Sequence, residues 1–179
     1  NKNLEILFQK ALVRGNRFFR LIKEISIIDQ IDNIYESGCA TGANLYPFFK
    51  NGKKVIGFDF DAKLINFGSK FGLNLKQADS HDSKNYKGKY DLVISSHVLE
   101  HVIDPVLYLN QIFDIVKPGK YILIEVPGIF SFHKRNLKIV DHLVNAHINY
   151  FYEAFLLELF TKMGMIIIYS DELCTFILK

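Results

Sequence analysis

The stretch Tyr35-Glu36-Ser37-Gly38-Cys39-Ala40-Thr41-Gly42 constrains this chain more than any other. It sets acid-x-Gly-x-x-x-Gly at the junction of two apolar patterns. Ile31 to Tyr35 supplies the apolar residues of a buried strand, and Leu45, Phe48 and Phe49 begin a helical spacing. Two glycines at such a junction let the backbone turn sharply and let a ligand approach with no side chain between. A helix starting near Ala43 or Asn44 would aim its free N–H groups and the positive end of its dipole at that ligand. Lys54-Val55-Ile56-Gly57-Phe58-Asp59 then reads as a second strand closed by an acid, 21 positions after Gly38. In nucleotide-binding sheets a carboxylate at that place accepts both hydroxyls of a ribose.

The pattern continues as an alternation. Strands are predicted at 31–36, 53–59, 73–78, 89–96 and 119–126, with helices at 43–50, 61–71 and 104–117. Pro47 falls in the first turn of its helix, where a missing N–H is tolerated. Asp61 reads as an N-cap, and Asp104-Pro105 as a cap followed by proline at the first helical position. Lys117-Pro118-Gly119 ends the helix before it. Such alternation means a parallel sheet with helices on both faces and right-handed crossovers. Near the end, Tyr150 to Met163 is an amphipathic helix stopped by Gly164. The runs Met165 to Ser170 and Leu173 to Leu178 have almost no residues between them, so they pair as an antiparallel hairpin. Seven strands result, in an α/β Rossmann-like sheet that is parallel except at this hairpin. Ahead of it, residues 4 to 25 carry apolar side chains at helical spacing, with Gly15 a point where the segment divides into two helices. Lys10, Arg14 and Arg17 share a face, read as solvated.

At 179 residues the chain suits one domain, and 49% hydrophobic residues suffice for a sizeable core. We divide it into an N-terminal helical segment (1–27), a core (31–179) and a long insertion within that core (128–149). The net charge of +3 is too mild to indicate nucleic acid as a partner. No apolar run approaches the roughly 18–20 residues of a membrane span. Cys39 and Cys174 have no metal-ligand spacing, and no metal site is demanded by the spacing of the histidines. A reducing, cytoplasmic setting is the expectation. The start, Asn1-Lys2-Asn3, lacks both an initiator Met and a signal-peptide layout, and an upstream region is plausible.

From about Ile31 to Lys179 the sequence resembles class I S-adenosylmethionine-dependent methyltransferases, whose sheet ends in such a hairpin. Four stations match in order: the Glu36-x-Gly38-x-x-x-Gly42 turn, Asp59, Gln77-Ala78-Asp79-Ser80, and Tyr90 to Val102 with its Leu99-Glu100-His101. Lys117 to Pro127 also looks like the family's fifth strand. The resemblance implies S-adenosylmethionine as cofactor. It would be held by Glu36, Gly38, Cys39, Ala40 and Gly42 at its methionine part and by Asp59 at the ribose, with Phe60 as a further cofactor contact. Asp79 and Ser80 would read the adenine, and Ser95 and Ser96 would follow strand four. Asp82 lies close enough to Asp79 to replace it. The family has a middle glycine where this chain has Ala40, a change that costs little at negative φ and strains the turn at positive φ. We take Ala40 as tolerated.

The 128–149 insertion is longer than such connections usually are, and it carries Phe130, Phe132, His133, Lys134, Arg135, His142 and His147. It is expected to form a lid over the acceptor, with His133, Lys134 and Arg135 as substrate contacts. His147-Ile148-Asn149-Tyr150-Phe151 resembles a motif of bacterial methyltransferases encoded among sugar and surface-polysaccharide genes. The implied reaction is methyl transfer to an oxygen or nitrogen of a small-molecule or sugar-linked acceptor. His97, His101 and His147 are the candidate bases. Two rivals share the turn. An NAD-linked dehydrogenase wants Gly-x-Gly-x-x-Gly, but this chain has Gly38, Ala40 and Ala43. A binding module would keep the cofactor pocket without turnover.

Overall fold

Successive residues of the central strands belong to two different cores. Ile34, Val55, Leu92, Ile94, Leu123 and Ile177 pack into one, and Tyr35, Ile56, Val93, Ile122, Phe176 and Leu178 into the other. This is the period-two alternation of a pleated strand buried on both faces. The computed structural model describes residues 2–78, 84–130 and 145–179. Its strands are β1 (Asn33–Ser37), β2 (Lys54–Asp59), β3 (Leu75–Gln77), β4 (Tyr90–Ser96), β5 (Val116–Glu125), β6 (Ile167–Ser170) and β7 (Thr175–Leu178). They form one sheet in the order β3-β2-β1-β4-β5-β7-β6. The first five pair in parallel, and β7 lies antiparallel to both β5 and β6.

Helices cover both faces. Phe18, Leu21 and Ile22 of α1 (Lys2–Glu24), Phe48 of α2 (Tyr46–Lys50) and Ile65 of α3 (Ala62–Gly68) close the first core. Tyr108, Leu109 and Ile112 of α4 (Pro105–Ile115), with Leu156 and Phe160 of α5 (Glu153–Lys162), close the second. The expected caps are present. Asp61 accepts the Lys63 N–H at 2.7 Å, and Asp104 accepts the Leu107 N–H at 2.9 Å, each a contribution of about 1 kcal/mol.

Three expectations are corrected. Helix α1 runs unbroken through Gly15, because the glycine is needed there for contact rather than for a bend. A Cβ at Gly15 would stand 2.7 Å from the Ala43 carbonyl oxygen. Helix α2 starts at Tyr46 and has only five residues, so its N-terminus is set back from the glycine turn. The Asn44 side chain, buried and bonded to Glu36, is unavailable to start it earlier. Strand β5 begins at Val116 and takes in Lys117-Pro118-Gly119, with Gly119 at φ +70° and a register shift opposite Tyr90 and Leu92.

Strands β1, β2 and β3 step outward on one side of β1, while β4 and β5 lie on its other side. The order of the sheet therefore reverses between β1 and β4, and open α/β sheets bind ligands beyond the carboxyl ends of the strands at such a point.

Candidate active site

Backbone conformation and one carboxylate together shape the turn after β1. Gly38, Ala40 and Gly42 all have positive φ (+65°, +47° and +71°). The Cys39 N–H donates to the Phe58 carbonyl at 2.9 Å, tying the turn to β2. Asp59, at the tip of β2, accepts the Ala40 N–H at 2.8 Å through Oδ2 and the Asp61 N–H at 2.9 Å through Oδ1. Each carboxylate oxygen retains a second lone pair for a ligand hydroxyl. Ala40 occupies the left-handed region, where a Cβ costs about 1–2 kcal/mol. The middle position of the turn is strained, as foreseen for positive φ.

A cavity of ≈ 620 Å³ opens over this turn. Gly38, Ala40, Asp59 and Phe60 form one wall, and Ser96, His97 and His101 another. Phe60 is 82% exposed, an aromatic face left uncovered beside Asp59. Arg14, Asp61, Leu64, Val98 and Ala146 also line the cavity and were not foreseen as site residues.

Arg14 and Arg17 correct the reading of a solvated basic face. Arg14 Nε donates to Asn44 Oδ1 at 3.3 Å and lies 4.0 Å from Glu125 Oε1. Arg17 pairs with Glu125 Oε2 and donates to Thr175 Oγ1 at 3.0 Å. These bonds hold α1 across the carboxyl end of the sheet, which makes Arg14 a cavity residue. A clue was present in Gly15, a small residue between the two arginines that marks where α1 approaches the turn.

Glu36 lies wholly inside, with Oε1 accepting from the Asn44 amide at 2.7 Å and Oε2 without a hydrogen bond among the described residues. Burial pushes its pKa up to about 8, against the opposing effects of the Asn44 bond and Arg14. A buried carboxyl with one idle oxygen is suited to a cationic ligand group. Cys39 contributes backbone only. Its Sγ is packed where a Cβ at Gly57 would fall, and burial raises its thiol pKa. Ser95 also does not line the cavity, because its hydroxyl bonds Tyr108 Oη at 2.8 Å and Tyr108 in turn donates to Ser37 at 2.9 Å.

Beyond β4 the three candidate bases come together. His97, at φ +57°, has Nδ1 3.3 Å from Glu100 Oε1 and Nε2 3.3 Å from Glu125 Oε1. His101 Nε2 and His147 Nε2 lie 3.8 Å and 4.0 Å from the same Glu100 oxygen. The segment carrying His147 is fastened there by Ile148 and Asn149, whose N–H groups donate to the Glu100 carbonyl at 2.9 and 3.0 Å. Asp79, Ser80 and Asp82, and also Phe132, His133, Lys134, Arg135 and His142, lie outside the described residues.

The sequence pattern of a methyltransferase domain family matches residues 11–169. The chain belongs to that family. Its cofactor is S-adenosylmethionine. The ubiquinone biosynthesis O-methyltransferase of Aliivibrio fischeri is 30% identical to this methyltransferase over 113 residues, covering 59% of the chain and 45% of the relative. A probable S-adenosylmethionine-dependent methyltransferase of Mycolicibacterium smegmatis is 22% identical over 102 residues, 56% of the chain and 40% of the relative. The chain thus spans less than half the length of these relatives. Among solved structures, an Archaeoglobus fulgidus methyltransferase superposes with a TM-score of 0.72 at 21% identity, covering 92% of this chain and 73% of that one. One from Aquifex aeolicus gives 0.60 at 15% identity, covering 89% and 86%. This likeness is one of fold. No described helix is long and apolar enough to cross a membrane.

Proposed function

We propose that this methyltransferase moves a methyl group to a hydroxyl oxygen of a small-molecule or sugar-linked acceptor, with amine nitrogen as the second choice. The observation that carries this is the cavity itself, with a strained glycine turn and Asp59 on one side and a histidine cluster on the other. The residues fit the cofactor. Asp59 has lone pairs for the ribose hydroxyls, Glu36 has an idle buried oxygen for the ammonium, Arg14 suits the carboxylate, and Phe60 offers a face to the adenine. Asp79 and Ser80 remain the proposed adenine readers from their place after β3.

Bound S-adenosylmethionine supplies a methyl group already activated by its sulfonium. The protein's part is then alignment of the acceptor and removal of its proton. Gly38 and Ala40 hold the turn open so that no long side chain intrudes. The cluster of His97, His101 and His147 around Glu100 stands where the acceptor's proton would be taken. Exposed Ile103, Leu107 and Ile148 lie near that cluster in the chain and favour an acceptor with an apolar part. The name of the Aliivibrio relative, an O-methyltransferase, supports oxygen over nitrogen. Residues 128–149 are the proposed lid, with His133, Lys134 and Arg135 as its acceptor contacts.

The test is transfer of labelled methyl from S-adenosylmethionine into pools of phenols, nucleotide-sugars and peptides. Label is expected in a phenol or nucleotide-sugar, stable to conditions that cleave esters. Tight cofactor binding with no label in any pool would favour the binding-module reading instead.

A further inference from the structure

All three histidines among the described residues point a ring nitrogen at one buried carboxylate. Glu100 is 1% exposed, and neither of its oxygens accepts a hydrogen bond among the described residues. The nitrogens nearest to Oε1 stand 3.3 to 4.0 Å away. Most of that range is too long for direct hydrogen bonds. An unneutralised carboxylate in such a place costs several kcal/mol.

The His101 ring shows what is missing. Its Nδ1 lies 2.8 Å from the Ala146 carbonyl oxygen. A carbonyl only accepts, so Nδ1 carries the hydrogen, and in the neutral form of the ring the lone pair of Nε2 faces Glu100. Two electron-rich atoms then face each other across 3.8 Å. A cation between them removes the conflict. One ligand atom from each of Glu100, His101 and His147 lies within 4.8 Å of the others, a separation that modest contraction brings to bonds of about 2.0–2.2 Å on one ion.

We propose that Glu100, His101 and His147 hold a divalent transition-metal ion at the histidine end of the cavity. Two imidazoles and one carboxylate select zinc or a neighbouring first-row ion over magnesium or calcium, which prefer all-oxygen shells. The Ala146 carbonyl fixes the His101 tautomer as a metal-bound histidine requires. His97, with Nδ1 on the same Glu100 oxygen, orients the carboxylate. Three protein ligands leave open positions. His101 and Ala146 line the cavity, so an open position faces it and accepts an oxygen of the acceptor. With the ion bound, His101 and His147 act as ligands and not as bases; the acceptor role rests on the methyl-transfer reading, whereas the metal site does not.

The full chain, stripped with a chelator, is titrated with Co(II) and Zn(II) by calorimetry and by visible absorption. One equivalent is expected to bind, with cobalt ligand-field bands. His101→Ala and His147→Ala should each weaken metal binding at least tenfold while the circular dichroism of the folded chain is retained. Glu100→Gln should lose the metal too, and the histidine variants decide the matter if that buried change unfolds the chain. Absence of stoichiometric uptake, or uptake unchanged in both histidine variants, overturns the site. Metal uptake without label in any acceptor pool would sink the proposed function and leave the metal site standing.

Discussion

The two ends of the cavity treat buried charge in opposite ways. At the glycine-turn end, Asp59 spends both oxygens on backbone N–H groups at 2.8 and 2.9 Å, so its charge sets the shape of the loop. At the histidine end, Glu100 is better buried yet has no hydrogen bond among the described residues. A carboxylate close by shows that the fold can satisfy such a group. Glu125, also buried, pairs with Arg17 and accepts a Thr175 hydroxyl at 2.9 Å. Charge bound into the backbone makes a rigid surface. Charge left open makes a site that waits for a ligand.

The largest expected effect breaks the glycine-turn end. Asp59→Ala removes the proposed ribose contacts and orphans the Ala40 and Asp61 N–H groups. Affinity for S-adenosylmethionine should fall at least tenfold, since charge-assisted bonds contribute about 1.5–3 kcal/mol each. Stability should fall as well, by about 0.5–1.5 kcal/mol for each hydrogen bond lost, because both N–H groups belong to half-buried residues that line the cavity. Calorimetry and denaturant titration read the two losses separately. Unchanged affinity in a folded variant would remove Asp59 from the cofactor's ribose.

Glu36 sharpens the comparison from within the same end, because it has an uncommitted oxygen as Glu100 does. Its pKa is raised by burial from 4.5 to about 8. Between those values the native state holds a proton that the unfolded chain releases, so this group makes stability fall as pH rises through the window. A ligand ammonium would favour the ionised form. Cofactor binding near pH 7 is therefore expected to release close to one proton, visible as a buffer-dependent binding enthalpy. Glu36→Gln should abolish that release, weaken binding several-fold, and flatten the loss of stability toward pH 8. Proton release persisting in the variant would assign it to another group.

What the sequence disclosed follows the same division. The sheet was legible because apolar runs such as Leu92-Val93-Ile94 report burial on both faces, and the hairpin because its connection is too short for a crossover. The glycine turn and Asp59 were legible because neighbours in the chain or strand ends a fixed span apart build them. Glu100 and His147 are 47 positions apart, and only folding brings them together. Arg14 and Arg17 were misread because a helical pattern ranks faces by hydropathy and cannot show that α1 lies across the ends of the strands. Gly15 was misread for a related reason. Propensity treats a glycine as a weak point in a helix, whereas here it is a point of contact.

The smallest expected effect concerns Ala40, the residue at which the two glycines of the turn are interrupted. At φ +47° its Cβ opposes the conformation that the Asp59 bond requires. Ala40→Gly removes a strain of about 1–2 kcal/mol but gives the unfolded chain more freedom, worth about 0.4–1 kcal/mol in the other direction. A net gain of roughly 0.5 kcal/mol is expected, a rise in Tm of about 1–2 °C for a chain of this size. Ala40→Val, with a branched Cβ in the same region, should do the reverse and by more. The pair is informative because both substitutions leave the charges of the cavity untouched. If the glycine variant were less stable than the parent, the turn would not be storing strain at Ala40. The rigid end of the cavity would then owe its shape to Asp59 alone.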